Sequence, residues 1–297
     1  MRGSLLRVLL VWTGLGVVGQ SDARGYRKPP QPTSSVSFSL YNDYLIVVRG
    51  SAGPLKGLNF LIDTGTSPSI LDQRLAQRLR LTPTPAVIAA VGGNVQGSMA
   101  TAPSLQFGPL RRENLPILIR DLSTLQLPIQ LDGIVGLDVL GQNTFVIDYA
   151  SRRISFDPSL SLPASTPSKL PASVPLKLVD GLAIVEATVD QSPVHLVLDT
   201  GAPSLVLFAA TRDPASGAHS APAHPLPKSL GEVEHKPIRL TRFRLGESEF
   251  GRESAFLVRN PADAGHTYDG LISPTALGIT RVAIDLTQHT LAFARTP

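Results

Sequence analysis

Two aspartates occupy matching positions in the chain, each at the end of an apolar run. Asp63 lies in FLIDTGTSPSIL (60–71) and Asp199 in LVLDTGAPSLVLF (196–208). A carboxylate at the end of a buried strand costs free energy unless hydrogen bonds or a shared charge compensate for it. Two carboxyl groups in contact share one proton, and such a pair can act on a water as general acid and general base. We therefore predict that Asp63 and Asp199 are catalytic.

The two aspartates belong to a long internal repeat. The block LDGIVGLDVLG (131–141) recurs as YDGLISPTALG (268–278), and FVIDYASRRISF (145–156) recurs as VAIDLTQHTLAF (282–293). Asp199 follows Asp63 by 136 residues, and the other two blocks recur after 137. A repeat of this length predicts a duplicated unit. If the copies pack about a pseudo-twofold axis, equivalent residues near that axis meet, and the two aspartates come together.

Short apolar runs separated by turn residues predict an all-β fold in which each Asp-Thr-Gly follows a hairpin. In the first copy the hairpin strands are 44–48 and 59–62, and in the second they are 182–189 and 194–198. The leucine spacing in 70–81 predicts a short amphipathic helix.

The composition of the chain changes along its length and predicts its segments. Residues 1–23 carry arginines ahead of an apolar run that is too short to span a bilayer, which indicates a cleaved signal peptide rather than an anchor. The predicted segments are a signal peptide (1–23), a flexible segment (24–36), an N-terminal lobe (37–160), a Pro/Ser-rich linker (161–175) and a C-terminal lobe (176–297). We therefore expect a periplasmic or secreted protein without a stable membrane anchor.

Several chemistries and partners are disfavoured by the residue content. The chain has no cysteine, which removes thiolate nucleophiles and thiolate metal ligands. Its six histidines lack paired metal-ligand spacing, so we expect no metal site, and no nucleophile-elbow sequence points to a serine hydrolase. The net charge of +4 is mild and the arginine pairs lack interleaved aromatics, so nucleic acid is not an expected partner. A monomer is the expected state.

The repeated segments resemble the aspartic peptidases, and most of all retropepsin-like domains, here fused in one chain like the two lobes of the pepsin group. The resemblance covers nearly all of residues 40–295 and rests on both Asp-Thr-Gly tripeptides and on the blocks 131–141 and 268–278. It implies two pseudo-twofold-related β-barrel lobes with short helices and a cleft between them. It also implies an exported endopeptidase that hydrolyses peptides or proteins with water and needs no cofactor.

The resemblance implies roles for the residues around the aspartates. Thr64 and Thr200 would cross-link the lobes by hydrogen bonds beneath the catalytic pair, and Gly65 and Gly201 would let the chain turn so that backbone N–H groups face the carboxylates. A glycine-rich hairpin would close over the substrate.

The predicted hairpin flap lies at AAVGGNVQGS (89–98), where Gly92, Gly93 and Asn94 suit a tight tip. Its counterpart near 229–235 matches less well.

The second copy departs from the first at two positions. Thr66 can donate a hydroxyl to the first aspartate, whereas Ala202 stands at the equivalent place in the second copy. We therefore predict that Asp63 is the more readily ionised member and that Asp199 more often holds the proton. Ser273 replaces Gly136, which leaves the geometry of the second copy less certain.

Other interpretations remain beside the peptidase. The departures at Ala202 and Ser273 suit a catalytically silent two-lobed peptide-binding protein. A glycosidase is disfavoured because the only tryptophan, Trp12, lies in the predicted signal peptide.

Four further aspartates are interpreted as structural. Asp132 and Asp269 each precede a glycine and indicate turns, and Asp148 and Asp285 are interpreted as strand-end hydrogen-bond partners.

Overall fold

The computed structural model describes residues 34–90, 93–141, 144–156, 172–209, 219–220, 235–258 and 268–295. The predicted signal peptide and most of the predicted linker lie outside these residues. Strands dominate the described part, and the predicted all-β class is confirmed. We refer to residues 34–156 as the N-terminal half and to residues 172–295 as the C-terminal half.

The described residues of the N-terminal half form ten strands, two short α-helices and one 3₁₀ turn. The strands are β1 (Ser35–Tyr41), β2 (Leu45–Ala52), β3 (Leu55–Ile62), β4 (Ile70–Asp72), β5 (Thr84–Ala90), β6 (Gly93–Phe107), β7 (Leu110–Arg120), β8 (Gly133–Val135), β9 (Phe145–Asp148) and β10 (Arg153–Ser155). The helices are α1 (Gln73–Arg78) and α2 (Leu137–Leu140), and the 3₁₀ turn spans Leu122–Leu125.

Ten strands are also described in the C-terminal half, with a 3₁₀ turn at Thr275–Leu277. They are β11 (Ala172–Val179), β12 (Leu182–Val189), β13 (Ser192–Leu198), β14 (Leu205–Phe208), β15 (His219–Ser220), β16 (His235–Leu245), β17 (Ser248–Val258), β18 (Gly270–Ile272), β19 (Ile279–Asp285) and β20 (Thr290–Arg295).

The strand pairings that surround each aspartate are the same in the two halves. In the N-terminal half β3 pairs in parallel with β8, and β4 pairs antiparallel with β8 and parallel with β7. In the C-terminal half β13 pairs in parallel with β18, and β14 pairs antiparallel with β18 and parallel with β17. Each aspartate therefore leaves a central strand beside a parallel neighbour.

A six-stranded antiparallel sheet joins the two halves in the order β1, β10, β9, β19, β20, β11. Its central pair, β9 and β19, places Val146 opposite Ala283. The strand β1 begins at Ser35, inside the predicted flexible segment, and β11 begins at Ala172, inside the predicted linker. The folded region therefore extends into both.

The largest apolar core draws residues from both halves, including Phe60, Phe145 and Phe243. Two smaller clusters lie on the opposite faces of the central strands. One contains Leu61 and the other contains Val197, each two residues before an aspartate. Side chains alternate along a strand, so residues two apart point to the same side. Each smaller cluster therefore lies on the same side of its strand as the aspartate that follows.

The helix predicted over 70–81 is shorter than expected. Residues Ile70–Asp72 form β4, because they pair with β7 and β8, and the helix α1 covers only Gln73–Arg78. Asp72 caps this helix by accepting a hydrogen bond from the backbone N–H of Arg74. In the described part of the chain, no helix is long and apolar enough to cross a membrane.

Candidate active site

The ends of strands β3 and β13 position the two predicted catalytic aspartates. The backbone N–H of Asp63 donates to the carbonyl of Val135 over 3.0 Å, and that of Asp199 donates to the carbonyl of Ile272 over 3.0 Å. Each aspartate is thus held by the last residue of the parallel neighbour strand, β8 or β18. The two positions have the same backbone anchor.

The structure brings the side chains of Asp63 and Asp199 together. A Cβ added to Gly65 would lie 2.6 Å from Cγ of Asp199, and one added to Gly201 would lie 2.8 Å from Cγ of Asp63. Each carboxyl group therefore packs against the glycine of the other loop, where only a residue without a side chain leaves room.

Thr64 and Thr200 exchange hydrogen bonds between the two loops, and both are buried. The backbone N–H of each threonine donates to the hydroxyl oxygen of the other over 3.1 Å. In turn the hydroxyl of Thr64 donates to the carbonyl of Leu198 over 2.7 Å, and the hydroxyl of Thr200 donates to the carbonyl of Ile62 over 3.1 Å. These four bonds cross from one half to the other and hold the strand ends in a defined relation.

The two carboxylates receive different donors. Asp63 accepts the backbone N–H of Gly65 over 2.9 Å and the hydroxyl of Thr66 over 2.8 Å. Asp199 accepts the backbone N–H of Gly201 over 2.8 Å, and donation from the backbone of Ala202 acts with it to lower the pKa of Asp199. The hydroxyl that Thr66 gives to the first aspartate thus has a backbone N–H as its counterpart at the second.

The electrostatic environment favours a proton on Asp199. Burial raises the pKa of Asp199 well above its ordinary value, and the charge of Asp63 and the hydrogen bond to it raise the pKa further. The donors at Gly201 and Ala202 act in the opposite direction. The raised pKa of Asp199 is the direction expected of the member that holds the proton.

Two tyrosines that the sequence did not single out lie close enough to Asp199 to sense its charge. Burial raises the pKa of Tyr44, and the charge of Asp199 adds to this effect. The same two causes raise the pKa of Tyr149. Both phenols therefore stay neutral.

Gly136 closes the loop of the first aspartate from behind. A Cβ at this position would overlap the carbonyl oxygen of Thr66, so only glycine permits this approach. The same carbonyl accepts the backbone N–H of Leu137 over 3.2 Å. Behind it, Ser69 donates its hydroxyl to Asp138 over 2.6 Å and accepts the N–H of Gly136 over 2.9 Å.

Ser273 takes the place of Gly136 in the second half, and its side chain is used there. Its hydroxyl donates to the carbonyl of Ala202 over 2.7 Å and lies 3.2 Å from the hydroxyl of Thr275. Ser273 and Ala202 are both 1% exposed. The buried hydroxyl of Ser273 is therefore hydrogen-bonded, and its side chain fits behind the second loop.

The predicted flap positions lie in a hairpin formed by β5 and β6. Gly93 pairs with Ala90 and Asn94 pairs with Ala89, so both are ladder positions in the backbone. Gly92 lies outside the described residues. The predicted second flap also lies outside them apart from His235, which begins β16.

The aspartates interpreted as structural serve as local hydrogen-bond acceptors. Asp132 accepts the backbone N–H of Asn59 over 2.8 Å, and Asp269 accepts that of His195 over 2.7 Å. The carboxylates of Asp148 and Asp285 accept backbone N–H groups in the turns that follow them, from Ser151 and from Thr287 and Gln288. Within the described ranges, no group of three or more His, Cys, Asp or Glu side chains could hold a metal ion.

A comparison with protein families gives a match that covers the first aspartate. Residues 48–139 match the family model described as aspartyl protease. The matched segment is about a third of the chain and includes Asp63 and its supports but not Asp199. The comparison with curated proteins gave no match. The family match supports an aspartic peptidase domain in the N-terminal half.

Proposed function

We propose that this chain is an aspartic endopeptidase in which one polypeptide supplies both catalytic aspartates. The observation that carries the proposal is the reciprocal contact of Asp63 and Asp199, each packed against the glycine of the other loop. The family match to residues 48–139 supports the same activity independently.

The proposed chemistry divides the work between the two carboxyl groups. Asp63, with its hydroxyl and N–H donors, is the ionised member and accepts a proton from the attacking water. Asp199, whose pKa is raised by burial and by Asp63, carries the shared proton and donates it to the carbonyl oxygen of the scissile peptide bond. The pair as a whole titrates as a coupled unit.

The proposed architecture is a duplicated, two-lobed one with the pair between the lobes. It is supported by the repeated sequence blocks and by the common strand pairings around β3 and β13. We further propose that the hairpin of β5 and β6 is the substrate flap and that Gly92, Gly93 and Asn94 belong to its substrate-binding part. Export after cleavage near residue 23, a monomeric state and peptide or protein substrates complete the proposal.

A peptide library digested from acid to neutral pH tests the function. The proteins to compare are the wild type, Asp63→Asn and Asp199→Asn, with Asp132→Asn as a matched control because Asp132 is interpreted as a structural aspartate. We expect cleavage by the wild type and the control, and a loss of at least 100-fold in each dyad variant. Activity that survives both dyad substitutions would refute the catalytic pair.

The catalytically silent binding protein is the second candidate. Its support is the pair of departures at Ala202 and Ser273. The hydroxyl of Ser273 bonds the carbonyl of Ala202, however, and both residues are buried. The same digestion decides between the two candidates, because a silent protein would bind peptides without cleaving them at any pH.

A further inference from the structure

Three residues after each aspartate, a backbone carbonyl of the loop accepts a hydrogen bond. In the N-terminal half the carbonyl of Thr66 accepts the backbone N–H of Leu137. The equivalent residue to Leu137 in the second repeat block is Pro274, which has no backbone N–H. The bond made in the first half therefore has no backbone counterpart in the second.

The hydroxyl of Ser273 supplies the donor that Pro274 lacks. It reaches the carbonyl of Ala202, the residue equivalent to Thr66, over 2.7 Å. Because the single proton of Ser273 is used in this bond, the hydroxyl of Thr275, 3.2 Å away, is oriented to donate to Ser273. Leaving the carbonyl of Ala202 unpaired in a buried site would carry the desolvation penalty of that group.

Ala202 connects this bond to the second aspartate. Donation from its backbone N–H lowers the pKa of Asp199, while its carbonyl accepts the hydroxyl of Ser273. When both the N–H and the carbonyl of Ala202 are held, its backbone angles are restricted. The carbonyl bond thereby helps to set the direction of the N–H that faces Asp199. The second repeat has Ser273 in place of Gly136 and Pro274 in place of Leu137. The two differences compensate, because the hydroxyl of the serine replaces the backbone N–H that the proline lacks.

We propose that Ser273 is a positioning residue of the peptidase reaction, which orients the Ala202 donor toward Asp199 in place of the backbone N–H that Pro274 cannot provide. This inference rests on the proposed function. It assigns a role to the position where the second repeat departs from the first.

The test compares four variants of the full chain with the wild type. Ser273→Ala removes only the hydroxyl, and Ser273→Gly removes the hydroxyl and Cβ. Ser273→Gly combined with Pro274→Ala rebuilds the backbone donor in the manner of Gly136 and Leu137. Pro274→Ala alone is the control for loss of the proline ring.

We expect Ser273→Ala and Ser273→Gly to lower kcat roughly tenfold while KM stays within about twofold, because the lost contact acts on the aspartate rather than on substrate binding. The double variant is expected to recover kcat to within about threefold of the control. Unchanged kcat in Ser273→Ala, or no recovery in the double variant, would overturn the proposal.

The pH profile provides a readout that a purely structural serine would not move. Ala202 donates to the ionised carboxylate of Asp199, so a misdirected donor raises the pKa of Asp199 further. Loss of the proton from Asp199 sets the basic limb of the profile in the proposed mechanism. The basic limb of Ser273→Ala should therefore move to higher pH while the acid limb stays, and unmoved limbs would contradict the proposal.

Failure of the proposed function would be recognised separately. If the wild type and Asp199→Asn cleave equally, or neither cleaves, the peptidase proposal falls. The exchange of donors is still tested by chemical unfolding: adding Pro274→Ala should stabilise the Ser273→Gly protein but destabilise the wild type. Equal effects of Pro274→Ala in both backgrounds would overturn the assignment of Ser273.

Discussion

The loops that carry Asp63 and Asp199 differ in how they are supported. The first loop uses the hydroxyl of Thr66 on the carboxylate and the backbone N–H of Leu137 on the loop carbonyl. The second loop uses backbone donors on the carboxylate and the hydroxyl of Ser273 on the loop carbonyl. A side-chain hydroxyl therefore supports the carboxylate in the first half and the loop carbonyl in the second half.

The contacts between the loops do not differ in this way. Thr64 and Thr200 make equivalent bonds in both directions, and Gly65 and Gly201 each leave room for the carboxyl group of the other half. The comparison indicates that the contacts defining the pair admit little variation, whereas the supports behind each loop can change as long as every buried polar group keeps a partner. Four predictions follow from this distinction, from the largest effect to the smallest.

The largest effect is expected from alanine at either inter-loop glycine. Neither Gly65 nor Gly201 has a positive φ, so the backbone tolerates alanine, but the new Cβ would lie less than 3 Å from the opposite carboxyl carbon. We expect each variant to lose roughly 100-fold in kcat/KM, because displacement of a reacting group by about 1 Å has this effect. Peptide cleavage kinetics and a thermal melt measure activity and folding. Full activity in only one variant would break the equivalence of the two glycines.

An intermediate effect is expected from placing serine in the first loop. In Gly136→Ser the Cβ overlaps the carbonyl oxygen of Thr66, which is backbone and cannot move aside freely. We expect this variant to lose about 2 kcal/mol in free energy of unfolding, within the range for overpacked sites. The reverse change, Ser273→Gly, should lose about 1 kcal/mol, since it removes one buried hydrogen bond. Urea unfolding measures both, and equal losses would mean that the two supports are interchangeable.

A smaller effect is expected from the hydroxyl that only the first carboxylate receives. Thr66→Ala removes a hydrogen-bond donor to the carboxylate of Asp63. A hydrogen bond to a charged group contributes about 1.5 kcal/mol, so we expect kcat/KM to fall roughly tenfold. Thr66→Ser keeps the hydroxyl and should keep the kcat/KM of the wild type. Unchanged kcat/KM in Thr66→Ala would contradict the assigned difference between the two carboxylates.

Much of the local fold could be predicted because it depends on local patterns. The apolar run 182–189 is β12, and the predicted hairpin partners of both copies pair as expected. The six-stranded sheet could not be predicted, because its central pair β9 and β19 joins segments more than 130 residues apart. The helix over 70–81 was predicted too long because pairing with β7 and β8 overrides the helical spacing of Ile70–Asp72.

The candidate site also has features that the sequence predicted and features that it could not predict. The repeat alone predicted that Asp63 and Asp199 meet, because equivalent residues come together if two copies pack about a pseudo-twofold axis. The bond between Ser69 and Asp138 could not be predicted, because 69 residues separate two polar side chains that carry no shared motif. Ser273 appeared in the sequence only as a missing glycine, and its meaning required the missing N–H of Pro274 to be placed beside the carbonyl of Ala202.

The smallest effect is a pH dependence of stability that arises from Asp199. Burial and the neighbouring Asp63 raise the pKa of Asp199 above its ordinary value of 3.8, so the folded chain keeps this proton to a higher pH than the unfolded chain. The free energy of unfolding of the wild type should therefore fall as pH rises from about 4 through the raised pKa, and this loss should be absent in Asp199→Asn. Urea unfolding at a series of pH values measures the difference between the two proteins. Asp285→Asn, at an aspartate placed in a turn, is the control for removing a charge.

Because burial is the largest cause of the raised pKa, most of the pH dependence should persist when the two proteins are compared again in an Asp63→Asn background. A difference that did not change with pH would mean that Asp199 is not the proton-holding member, and would remove the electrostatic part of the contrast between the two halves.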